Sequence, residues 1–273
     1  MNSGNRRSAW IAILPFWFGA MIAAASPPAV AAPLFVLADA SGSMRETVEV
    51  LRRDFEGPES EADPEETLRV PKIAVVRELL VRLMSAMPAD GRIVGLYRLR
   101  YIGGDSVHFA IFLEPELRRP DETAERIAGD FVVDFPMFNR RTGLADGLRQ
   151  LDETALSGLE GPRILLLLSD GREIFHDLER DRETALADDA PVDPDAPIRG
   201  PFTEIRRLRE RYGDDLELFF VHLDRPAGKE EATTEGRRLL TDMAGSEDRP
   251  FFDGLALLKD IAPLAEAVFG GER

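Results

Sequence analysis

The stretch Leu34-Phe35-Val36-Leu37-Ala38-Asp39-Ala40-Ser41-Gly42-Ser43-Met44 decides how this chain folds. Leu34 to Ala38 is a short, unbroken apolar run, the pattern of a central strand buried on both faces of a parallel sheet. Strand carboxyl ends in such sheets face the crevice where ligands bind. Here that end carries an acid, a glycine and two serines. A tight turn through Gly42 would aim the Asp39 carboxylate and the Ser41 and Ser43 hydroxyls at one point. These are hard oxygen donors, the type that magnesium, calcium and manganese prefer.

Outward from this stretch, strand-like and helix-like segments alternate. Lys72 to Met87 has helical spacing through Ile73, Val76, Leu80, Leu83 and Met87, and Pro88 stops it. Ile93 to Leu99 and Val107 to Leu113 read as a hairpin across Gly103-Gly104. Helices follow at Asp121 to Ile127 and at Leu144 to Leu156, the second with Thr142 as N-cap. Ile164 to Leu168 is a second buried strand and ends in Ser169-Asp170-Gly171. Next come a helix over Phe202 to Tyr212, a strand over Leu216 to Leu223 and a helix over Thr234 to Ala244. A short edge strand at Phe251-Phe252 and a closing helix over Leu255 to Phe269 complete the chain. This order predicts an α/β fold with a doubly wound, mostly parallel central sheet, helices on both faces and one antiparallel edge strand. Two acidic, proline-bearing insertions, at about 45–71 and 172–201, read as irregular loops. In the second, Asp188, Asp189, Asp193 and Asp195 lack the spacing of an EF-hand.

Residues 1–31 read as a signal peptide. Arg6 and Arg7 precede an apolar run from Ala9 to Ala25, and Ala29-Val30-Ala31 supplies an A-x-A cleavage pattern, with cutting expected after Ala31. Residues 32–273 then form one domain, with no later segment long enough to span a membrane, and the chain is expected in the periplasm or secreted. Thirty-four basic side chains, two of them Arg6 and Arg7, stand against fifty acidic ones; the net charge is −16, and −18 once the leader is gone. Nucleic-acid binding requires the opposite sign. With no cysteine, disulfides and thiolate metal sites are excluded. His108, His176 and His222 are scattered and read as incidental.

Asp39, Ser41 and Ser43 on one strand end, Thr142 opening a helix, and Asp170 on a second strand end share one expected edge of the sheet. Together, in this order, they resemble the metal ion-dependent adhesion site of the von Willebrand factor A family, and the resemblance covers about residues 33–269. It resembles the stand-alone, exported bacterial members. The resemblance implies that Asp39, Ser41, Ser43, Thr142 and Asp170 hold a divalent cation, magnesium first with manganese or calcium as alternatives. It also implies a protein partner that offers an Asp or Glu carboxylate to the ion. Arg140 and Arg141 precede Thr142, where small residues are frequent in relatives, and would receive the same carboxylate. The competing reading is that the acids and hydroxyls merely cap helices and turns.

A binding module rather than an enzyme is therefore expected. The D-A-S-G-S loop is no G-x-S-x-G nucleophile elbow. A magnesium-dependent phosphatase of the haloacid dehalogenase type would need an acid at position 41, where Ser41 stands. The other reading is an assembly or maturation factor for a periplasmic metalloenzyme or envelope complex, which the residues alone do not separate from adhesion.

Overall fold

Six consecutive residues, Leu34–Asp39, are all buried, and the reason is their place at the centre of a six-stranded sheet. The computed structural model describes residues 31–57, 62–103, 106–131, 143–171, 177–187, 192–193, 197–223, 230–244 and 251–270. Residues 1–30 of the expected leader lie outside these. Ala31–Arg273 forms one compact unit.

The sheet consists of β1 (Leu34–Asp39), β4 (Arg92–Gly103), β5 (Ser106–Arg118), β6 (Arg163–Ser169), β7 (Leu216–His222) and β8 (Phe251–Asp253), in the order β5-β4-β1-β6-β7-β8. Every neighbouring pair is parallel except β4 with β5, which leaves β5 as an antiparallel edge strand. The fold is thus the α/β arrangement that the sequence predicts.

Alternation along β1 divides the core. Leu34, Val36 and Ala38 face one layer, made by α2 (Lys72–Ser85), α3 (Pro120–Asp130), α8 (Gly254–Lys259) and α9 (Ala262–Phe269). Phe35 and Leu37 face the other, made by α4 (Leu144–Leu151), α6 (Pro201–Tyr212) and α7 (Glu230–Ala244). Each buried Leu, Ile or Phe contributes about 1.5–3 kcal/mol by leaving water, so two full layers supply the main driving force. Among the described residues, no helix is long and apolar enough to cross a membrane.

Four expectations need correction. The insertion at 45–71 is not an irregular loop: β2 (Thr47–Leu51) and β3 (Thr67–Pro71) pair as an antiparallel hairpin, with α1 (Arg52–Glu56) following β2. Val48 and Val50 enter the core while Thr47 and Glu49 stay in water, so the acids ride on the solvent face of a real strand. The insertion at 172–201 contains α5 (Leu178–Ala187), whose buried Asp181 accepts hydrogen bonds from the backbone N–H groups of Phe202 (2.8 Å) and Thr203 (3.3 Å) at the start of α6. The expected closing helix is two helices, because Asp260 is extended and Pro263 has no N–H to continue the first. Finally, Gly143, not Thr142, is the N-cap of α4, which runs on through one π turn, Asp152–Leu156.

Candidate metal centre

β1 and β6 are neighbours in parallel register, Ala38 beside Leu168, so Asp39 and Asp170 emerge side by side at the carboxyl edge of the sheet. The chain after Asp39 is pinned at three points. Ala40 N–H donates to Leu99 O (3.1 Å) and Ser41 N–H to Asp39 Oδ1 (2.8 Å), and Met44, closing the turn, is buried in the core. The result is a 3-10 turn over Gly42–Arg45 that presents the Ser43 hydroxyl to Asp170, with the Ser41 hydroxyl beside it.

The polar contacts form one continuous set. The Ser41 and Ser43 hydroxyls are 3.0 Å apart, and Ser43 Oγ donates to Asp170 Oδ1 at 3.2 Å. Ser169 Oγ donates to Asp39 Oδ2 (2.8 Å) and accepts from Gly171 N–H (3.0 Å), which ties the two strand ends together. Behind Asp170, the Lys72 ammonium donates to its Oδ2 at 2.8 Å and reaches Glu46 Oε2 at 3.4 Å. Asp39, Ser41, Ser43, Ser169, Asp170 and Lys72 are all buried.

Glycine is required at two places here. Gly171 turns with φ of +72°, and Gly236 of α7 lies so close that a Cβ on it would sit 2.1 Å from the Asp170 carbonyl oxygen. α7 thereby fixes the backbone that carries Asp170.

Burial pushes the Asp39 carboxyl up to about 7, and the Asp170 charge adds to the shift; the hydrogen bonds from Ser41 N–H and from the Ser169 and Ser41 hydroxyls hold it back. Two buried carboxylates side by side call for a cation. The oxygen set fits one: adjacent oxygens of an octahedron around a small divalent ion lie about 3 Å apart when each is about 2.1 Å from the metal. The Ser41–Ser43 and Ser43–Asp170 separations of 3.0 and 3.2 Å match such edges. Among the described residues, no group of three or more His, Asp or Glu gathers in metal-holding geometry.

The structure brings together four of the expected residues: Asp39, Ser41, Ser43 and Asp170. Thr142, Arg140 and Arg141 lie outside the described residues; Gly143, directly after them, begins α4. At the turn, Ser41 sits at the N-cap without a side-chain cap bond, whereas Asp39 Oδ1 accepts from Ser41 N–H, a bond of the kind that the capping alternative predicts. Three residues of the site escape sequence reading. Ser169 carried a signal, its position beside Asp170. Lys72 and Glu46 carried none, because only the hairpin register brings them there.

No family model matches the chain, and none of the curated proteins matches it in sequence. Solved structures do. The pilus adhesin SpaC from Lactobacillus rhamnosus GG superposes with a TM-score of 0.51 at 16% identity, covering 89% of this chain and 31% of that one. The PilB minor pilin from Streptococcus sanguinis does so with a TM-score of 0.50 at 15% identity, covering 89% and 63%. A von Willebrand factor type A protein from Catenulispora acidiphila is a looser match, with a TM-score of 0.47 at 13% identity over 89% and 44%. The chain spans less than two thirds of the length of each. At such identities, the adhesin and the pilin share with this chain the fold.

Proposed function

We propose that this chain is an exported von Willebrand factor A-type binding module that docks an Asp or Glu of a partner protein through a divalent cation, magnesium by preference. One observation carries the reading: Asp39, Ser41, Ser43 and Asp170, from two strand ends far apart in sequence, converge in a single buried oxygen set. Thr142, at the head of α4, is assigned as the fifth donor. The fold, shared with a pilus adhesin, supports a binding role, and the leader-like residues 1–31 support export.

In this reading, the chain's own groups do three things. Ser41, Ser43 and Thr142 supply neutral oxygens, and Asp39 and Asp170 supply two carboxylates. A bound cation would therefore retain positive character and offer an open position to a carboxylate. Ser169 and the Ser41 amide hold the Asp39 carboxyl in place. Arg140 and Arg141, just before Thr142, are assigned to the rim where the partner's carboxylate arrives. No catalytic step is assigned to any residue.

The test joins two measurements. Calorimetry on the purified chain should register magnesium or manganese binding that Asp39→Ala and Thr142→Ala abolish. Capture of a partner from an exported-protein extract should fail in chelator and with both variants. Capture that persists in chelator, or cation binding that survives Asp39→Ala, rejects the reading.

A further inference from the structure

The oxygen set carries a cation of its own. Of the thirty-four basic residues, only Lys72, Lys229 and Lys259 are lysines, and one of these three is buried at the site. Its side chain, like that of Asp170, is only 2% exposed. The hairpin puts it there. Thr47 pairs with Pro71 at the hairpin base, and Lys72 N–H donates to Glu46 O at 3.0 Å. Residues 46 and 72, far apart in sequence, therefore stand side by side over the metal turn.

The contacts on Asp170 are divided. Its Oδ1 faces the Ser43 hydroxyl and the donor turn, and its Oδ2 faces Lys72. An arginine at position 72 would tend to fork across both oxygens and hold them; an ammonium is a point charge that takes one and can shift between acceptors. Glu46 Oε2, 3.4 Å from Nζ, is a second acceptor. A buried carboxylate pair without any counter-charge would be strongly destabilised.

We propose that Lys72 is the built-in counter-ion of this site: its ammonium keeps Asp170 in place without a divalent ion and weakens the affinity for one, and Glu46 is the acceptor that retains it when an ion binds. The inference rests on the cation reading above and adds a consequence. Binding is tuned to be reversible, and the fold does not depend on the ion.

The test is calorimetric titration with magnesium and with manganese at one fixed pH, together with melting in chelator and in excess magnesium. It compares the wild-type chain, Lys72→Met, Glu46→Gln and the double variant. Removing a unit charge a few ångströms from the ion should tighten binding by about tenfold or more. Lys72→Met should also melt below wild type in chelator and recover in magnesium. Glu46→Gln should weaken binding severalfold in the wild-type background and less in the Lys72→Met background. Equal affinities for wild type and Lys72→Met overturn the inference and leave the cation reading standing. Absence of binding by both removes the cation reading and the inference with it. If Lys72→Met does not fold in either condition, Glu46→Gln decides: weaker binding supports the inference and an unchanged constant overturns it.

Discussion

Asp39→Asn in the absence of any divalent ion should stabilise the protein most at pH 8, less at pH 5, and not at all below about pH 4. The wild-type carboxyl has a folded-state pKa of about 7 against an ordinary value of 3.8, raised first by burial and then by the Asp170 charge. A carboxyl raised in this way binds a proton on folding. Its contribution is fully present below the unfolded value and is lost as pH rises through about 7. Three pKa units correspond to about 4 kcal/mol at most. Some of that is returned, because the hydrogen bonds from Ser169 and the Ser41 amide are stronger to a carboxylate than to an amide. A net gain of about 1–3 kcal/mol at pH 8 remains, which for a unit of this size raises Tm by about 2–10 °C. Thermal melts in chelator from pH 5 to 8 measure it, with the gap between variant and wild type opening as pH rises. Excess magnesium should lift wild type and leave Asp39→Asn unmoved. A gap of the same size at pH 5 and pH 8, or a variant less stable throughout, would refute the reasoning.

Other outcomes follow from contacts away from the donors. Asp152 is fully buried at the amino edge of the sheet, where Arg207 (2.5 Å), Arg211 (2.8 Å) and Tyr212 all donate to it. Asp152→Ala leaves Arg207 with Glu204 (2.9 Å) as an ion-pair partner and removes the acceptor of Arg211 and Tyr212, and should lower stability by about 1–3 kcal/mol, read from urea unfolding, without changing cation affinity. Gly236→Ala drives a Cβ against the Asp170 carbonyl; both Tm and magnesium affinity should fall, and an unchanged affinity would show that α7 does not position Asp170. Asp181→Ala removes the cap on α6 and should cost about 1–2 kcal/mol, with hydrogen exchange accelerating first at Phe202 and Thr203.

The parts of this molecule that were legible in the sequence are those where one physical demand dominates. β1 and β6 are buried on both faces, so apolar residues fill them from Leu34 to Ala38 and from Ile164 to Leu168, and the run betrays the strand. Their polar ends are legible for the same reason, since an acid directly after such a run must serve the crevice. The hairpin at 47–71 satisfies two demands at once. Val48 and Val50 alternate with Thr47 and Glu49 in clean period two, but the acids and prolines around them give the composition of a loop. The alternation was the better signal, because burial of one face is what folds a strand, whereas charge on the other face is merely tolerated.

Lys72 lies beyond both kinds of reading. A lysine at the first position of a helix is ordinarily a solvated charge, and the residues that make this one different, Glu46 and Asp170, are 26 and 98 positions away. Its burial is set by register, which follows from the pairing of Thr47 with Pro71 and not from any local pattern. The same register explains why an insertion is tolerated between the donor turn and α2. An antiparallel hairpin returns the chain to where it left, so β2 and β3 can be long without moving Lys72 relative to Ser43. The hairpin base delivers one positive charge, that of Lys72, to the back of the donor set. The insertion is therefore part of the site's electrostatics.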